Sequence, residues 1–306
     1  MTKRRLADLA LTLIAFVWGV TFIMVQDAIQ SLPPFLFLTI RFGSSALLIF
    51  LYMRLVRVNG DSRENFGREL RYGVILGILL FGGYAFQTFS LLYTTSGKSG
   101  FLTGVSVALV PIFAYFVTKS RISLQAATGA LCALIGLYLL AFADFGSVNI
   151  GDVLAFLCSV FFAFQIIYTG QFSGRCSLLH LVGFQLLTVA VLSGVCSLLT
   201  EPWKQALRPE ILLDPSVWSA LLVTSVFATV LAFIAQTHVQ KYTSPARVAL
   251  IFSLEPVFAA LADYVWLGVT LTGRALAGCL LIFGGMLLSE LPAVRFPWGR
   301  KRHQPE

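Results

Sequence analysis

Among 306 residues, the side chains that could do chemistry are few, and their spacing excludes most of it. The three histidines, His180, His238 and His303, stand in no metal-ligand spacing. The five cysteines, Cys132, Cys158, Cys176, Cys196 and Cys279, show no paired spacing, and four sit inside apolar runs where a thiol behaves as a small hydrophobe. Neither a disulfide framework nor a zinc site follows. Ser96-Gly97-Lys98-Ser99 echoes the end of a phosphate-binding loop, but the glycine needed five positions before Gly97 is Leu92. No Ser or Asp paired with a His at membrane depth is legible, as a membrane hydrolase would want. These residues point to no enzyme, no metal and no cofactor. With no nucleotide site, the energy source is an ion gradient or the gradient of the substrate itself.

What remains is a handful of polar side chains inside long apolar stretches. Glu255 lies about ten residues into one, hence roughly 15 Å deep and near the midplane. A carboxylate there has to be neutralised by a proton or a cation. It either binds a substrate amine or takes up a coupling proton, or it hydrogen-bonds a neighbouring helix and only shapes the bend at Pro256. Pro256 removes a backbone hydrogen bond and frees a carbonyl that a bend or a ligand can use. Arg41, about two turns into its stretch, either snorkels outward or neutralises a buried partner or a substrate carboxylate. Trp18 lies about 13 residues, roughly 20 Å, into the first stretch. That depth suits a pocket wall or gate better than an interface anchor, whereas Trp203 and Trp298, just outside apolar runs, read as anchors.

A seven-residue spacing keeps side chains on nearly one helix face. Gly73, Gly77, Tyr84 and Gln87 share such a face, as do Cys158, Phe162, Gln165 and Thr169. Ser225, Thr229, Ala232 and Gln236 form a third, and Ser99, Thr103 and Ser106 a fourth. The amides of Gln87, Gln165 and Gln236 find no water in lipid and turn inward, to a cavity or to another helix. The Ser, Thr and Gly positions line the same path or let helix backbones approach each other. Gly73 and Gly77 admit such contact within one chain or between two copies of a homo-oligomer.

The elements that must hold these residues are legible from composition. Hydrophobic residues make up 58% of the chain and charged ones 12%, with a mean hydropathy of +0.85. That excess of apolar surface excludes a soluble enzyme, a disordered chain and a secreted disulfide scaffold. The net charge of +8 does not mark a nucleic-acid binder, because the basic residues fall between apolar runs. A hydrocarbon core about 30 Å thick needs roughly 20 apolar residues in a helix. Ten such runs are present, at about 6–26, 35–54, 71–93, 98–118, 122–143, 150–170, 178–199, 216–239, 245–266 and 272–291. The longer polar loops fall at 55–70 and 200–215. Lys3-Arg4-Arg5 before an apolar run resembles a signal peptide, but no clear cleavage site follows, so the run reads as a retained first span. With ten spans, 17 of the 22 Lys and Arg collect on the side of the termini and 4 on the other, with Arg41 inside a span. Basic residues accumulate on the cytoplasmic side, which places both termini there.

The chain also repeats. Ala108-Leu-Val-Pro111-Ile-Phe113-Ala114 in the fourth span matches Ser253-Leu-Glu-Pro256-Val-Phe258-Ala259 in the ninth, with Val110 opposite Glu255. Gly136 and Leu140 match Gly284 and Leu288, and Arg41-Phe42 lines up with Gln185-Leu186. Two five-helix halves follow, 1–145 and 146–306. Five is odd, so the halves cross the membrane in opposite senses, an arrangement typical of secondary transporters with a midplane site. Pro111 and Pro256 bend their helices in this scheme, and Arg41 serves structure or charge pairing.

Trp18-Gly19-Val20-Thr21-Phe22, Pro34 with Arg41-Phe42, and Tyr242-Thr243-Ser244-Pro245-Ala246 leading into Ser253–Ala260 together resemble the EamA-type permeases of the drug/metabolite transporter superfamily. The glycine-rich last span and Ser289-Glu290-Leu291 extend the match over nearly the whole chain. One departure is Val269, where the family often has Glu after the Leu-Gly closing the ninth span. The resemblance implies an all-α polytopic protein of ten transmembrane helices in two inverted repeats. It also implies a small-molecule substrate moved by alternating access, and for bacterial members export of amino acids or other metabolites across the inner membrane. Trp18, Tyr84, Gln87, Gln165, Gln236 and Glu255 are the expected path, with a coupling proton and membrane lipid as further partners. A lipid-linked metabolite flippase and a non-transporting membrane enzyme or scaffold are the alternatives.

Overall fold

The computed structural model describes residues 3–56, 63–119, 123–141, 149–206, 208–268 and 272–290. The anchor expected at Trp298 and the departure at Val269 lie outside these residues. The chain is helical, with no strand among the described residues. In order come α1 (Lys3–Ser31), α2 (Pro34–Leu55), α3 (Arg63–Ser90), α4 (Ser96–Gly104), α5 (Ser106–Thr118), α6 (Leu124–Ala141), α7 (Ile150–Phe172) and α8 (Leu178–Thr200). The short helices α9 (Trp203–Ala206) and α10 (Pro209–Leu212) occupy the second long loop, and Trp203 packs there against the apolar interior. Then follow α11 (Pro215–Ser225), a π-helical turn (Val226–Leu231), α12 (Ala232–Val239), α13 (Pro245–Phe252), α14 (Glu255–Leu267) and α15 (Gly273–Glu290).

Eight rods among the described residues are long and apolar enough to cross a membrane, α4–α5, α11–α12 and α13–α14 each counting as one interrupted rod. The two remaining expected spans are shorter apolar helices, 124–140 and 273–288. At 1.5 Å per residue they reach roughly 25 Å, less than the full hydrocarbon thickness. They lie against each other at backbone distance: a β-carbon on Gly136 would meet the Gly278 carbonyl at 2.6 Å, and one on Gly278 would meet the Gly136 carbonyl at 2.5 Å. Large apolar side chains such as Phe116 and Leu280 stay exposed on the outside. Lipid solvates them, so they carry none of the cost they would carry in water.

Two apolar clusters fill the interior. One joins α1, α2, α3, α8, α11 and α12, the other α1, α5, α6, α7, α12, α13 and α15, and Trp18 packs against both. Carboxylates, half-buried at Glu201 and buried at Glu69, satisfy helix N-termini that would otherwise leave N–H groups orphaned. Glu201 accepts from the Phe35 and Leu36 N–H groups at 2.7 and 2.9 Å, and Glu69 from that of Ser177 at 2.7 Å. Gly73 and Gly77 are contact points within the chain, where added β-carbons would collide with Phe184 and Thr188 of α8.

Candidate functional site

Three interruptions of helical geometry build the site. α13 ends at Phe252 and α14 begins at Glu255, because Pro256 has no N–H to continue the ladder. α4 gives way to α5 at Val105, whereas Pro111 lies within α5. The third is the π turn of residues 226–231. Such turns loosen the carbonyl ladder and recur at functional sites. Here the Ala228 carbonyl accepts the Trp18 Nε1–H at 2.8 Å, and the Thr229 hydroxyl accepts the Arg41 Nε–H at 2.9 Å. α1 and α2 are thereby both tied to the π turn.

Between these interruptions lies a cavity. Trp18, Tyr84, Gln87, Gln165, Gln236 and Glu255 all line it, so six residues from five helices face one space. A second lobe shares Trp18, Tyr84, Gln87 and Glu255 and adds Arg41. Arg41 is only 3% exposed and does not snorkel outward. Its guanidinium lies 4.8 Å from the centroid of the Tyr84 ring, and Nη2 approaches the Tyr84 hydroxyl and the Ala228 carbonyl at 3.5 Å. No described carboxylate forms an ion pair with it, and Glu255 lines the same lobe.

The Glu255 side chain lines both lobes and makes no hydrogen bond or ion pair with any described residue. Val110, its counterpart by motif, is fully buried in apolar packing. Measured from the helix breaks, the counterpart is Ser106: α5 begins at Ser106 as α14 begins at Glu255, and both line the cavity. At one end of the cavity the amides link up. Gln165 Nε2 donates to the Thr169 hydroxyl at 3.0 Å, Gln236 Nε2 to Gln165 Oε1 at 3.3 Å, and Gln240 Nε2 to the Ile166 carbonyl at 2.9 Å. Gln236 Oε1 is buried without a partner.

Phe233, Phe252 and Gly100 also line the cavity and are not distinguishable in the sequence, where 27 Phe serve mostly lipid and core. Gln240 was equally hidden, since it stands at the polar end of its span. The arrangement offers a carboxylate and amides as hydrogen-bonding groups inside aromatic walls. Such a site fits a small organic molecule with an apolar body and few polar groups.

The sequence profile of the EamA-like transporter family matches residues 5–142 and again 149–291. The chain belongs to this family. An uncharacterized transporter of Archaeoglobus fulgidus is 32% identical over 289 residues, covering 94% of this chain and 87% of that protein. A Salmonella typhimurium protein named "Probable amino-acid metabolite efflux pump" is 25% identical, covering 90% of this chain and 92% of its own. One solved crystal structure has a TM-score of 0.77 at 22% identity, over 96% of this chain and all of that one, a likeness of fold. The EamA-like chain is thus a multi-pass membrane transporter rather than an enzyme, with a small molecule as its substrate.

Proposed function

We propose that this EamA-like protein is a secondary active exporter of small organic metabolites, amino acids or amphipathic compounds, in the inner (plasma) membrane with both termini cytoplasmic. Ten helices form two inverted five-helix halves, 1–145 and 146–306, which rock about the cavity and open it to one side at a time. Trp18 and Tyr84 wall the path, the three glutamines orient polar groups, and Glu255 takes a substrate amine or a coupling proton. The observation that carries this reading is the convergence of those six residues on one cavity. Paired family matches support the two halves, the 17-to-4 split of basic residues supports the orientation, and the name of the Salmonella relative supports the substrate class.

The test is efflux from proteoliposomes loaded with labelled amino acids and amphipathic amines, with and without a pH gradient. Efflux faster than from protein-free liposomes is expected. If no solute moves faster while a fluorescent lipid probe changes leaflet faster, the protein is a flippase and the exporter reading falls.

A further inference from the structure

Three acid–base pairs among the described residues join the two family-matched stretches, Glu69–His180, Lys98–Asp152 and Asp8–Arg247, and the last two are built alike. Lys98 Nζ lies 2.6 Å from Asp152, and the Arg247 fork holds both oxygens of Asp8 at 2.7 and 2.6 Å. All four side chains are at most 16% exposed. Each base is the third residue of its helix, and a hydroxyl three residues before it, Thr95 or Ser244, accepts its backbone N–H at 3.3 Å. Each helix, α4 or α13, then breaks seven residues beyond the base, at Val105 or Leu254, directly before the cavity residues Ser106 and Glu255. With helix direction alternating along the chain, as the ten-span reading proposed above has it, Asp8–Arg247 lies at the end where α2 finishes, and Lys98–Asp152 at the end where α3 finishes.

We propose that Asp8–Arg247 and Lys98–Asp152 are matched gates, one at each end of the cavity, that open in turn. This rests on the alternating-access reading above. Each pair crosses between the parts that must separate for its end to open. Burying two charges costs about as much as their attraction returns, so a closed pair and a hydrated open pair are close in free energy. A base in the first turn of a helix also faces the positive end of the helix dipole, while Asp152 stays held by its capping box with Asn149 when Lys98 leaves. The rigid two-turn rods α4 and α13 connect each gate to a cavity residue, so a solute at Ser106 or Glu255 can bias it.

The experiment places a Ser106→Cys reporter in the full chain with its five native cysteines replaced. An impermeant maleimide is then added to intact cells and to inverted membrane vesicles. Asp8→Asn should raise labelling on the order of tenfold from the Asp8 end only, and Asp152→Asn from the Asp152 end only. The exchange Asp8→Arg with Arg247→Asp should return labelling to the parental level and shows that the variants fold. Equal labelling from both sides in either variant, or no change in both, overturns the gates. Labelling reads shape without any solute, so failure of the efflux assay alone would overturn only the transport reading.

Discussion

Gly19 and Glu255 meet at backbone distance: a β-carbon on Gly19 would lie 2.5 Å from the Glu255 carbonyl oxygen and 2.9 Å from the Ala259 N. α1 therefore presses directly on the first turn of α14, which sets Trp18 and Glu255 around the same cavity. No side chain can be inserted there without moving a backbone. Gly19→Ala should cost about 1–3 kcal/mol through overpacking. Gly43→Ala, whose added carbon would meet Ala190 at an ordinary 3.8 Å, should be neutral or stabilising. Thermal unfolding of both variants in detergent checks this, and a wild-type midpoint for Gly19→Ala would refute the contact.

Glu255→Gln keeps the shape and hydrogen-bonding capacity of the side chain but not its charge or its proton. An amine–carboxylate hydrogen bond contributes roughly 1.5–3 kcal/mol, so efflux of a cationic substrate should fall about 10- to 100-fold. Any dependence of the rate on pH should flatten as well. Full, pH-independent efflux at normal expression would remove Glu255 from the proton path.

Gly77 touches the Gln185 carbonyl region of α8 within the same chain, where its β-carbon would find oxygen at 2.7 Å. Gly77→Leu should lower the melting temperature without altering the oligomeric state seen by light scattering. A change of oligomeric state with unchanged melting would place this GxxxG between copies.

Thr229 gives the buried Arg41 its shortest hydrogen bond, 2.9 Å to Nε. Thr229→Val preserves shape and leaves a charged donor unpaired, at a cost of about 1–3 kcal/mol. Thr229→Ser should recover most of it. Equal unfolding midpoints for the Val and Ser variants would show that the hydroxyl carries no load.

The helical, membrane-spanning character was readable in the chain because lipid leaves only two solutions, the helix and the closed barrel, and continuous apolar runs of about 20 residues fit the helix. The same solvent rule exposed Glu255, Arg41 and the three glutamines, which stand out where polarity is costly. Partnership was a different matter, because it depends on contacts between residues far apart in sequence. That Trp18 reaches Ala228, that Arg41 turns inward to Thr229, and that Gly73 and Gly77 face α8 could not be derived from spacing along any one helix. The π turn at 226–231 has no proline or glycine to announce it. The match of Glu255 to Ser106 rather than Val110 likewise emerges only once the helix breaks are in place, since the local PxF motif and the break positions differ by one helical turn. Periodicity along one helix assigns each side chain to a face; only packing between helices determines what that face meets.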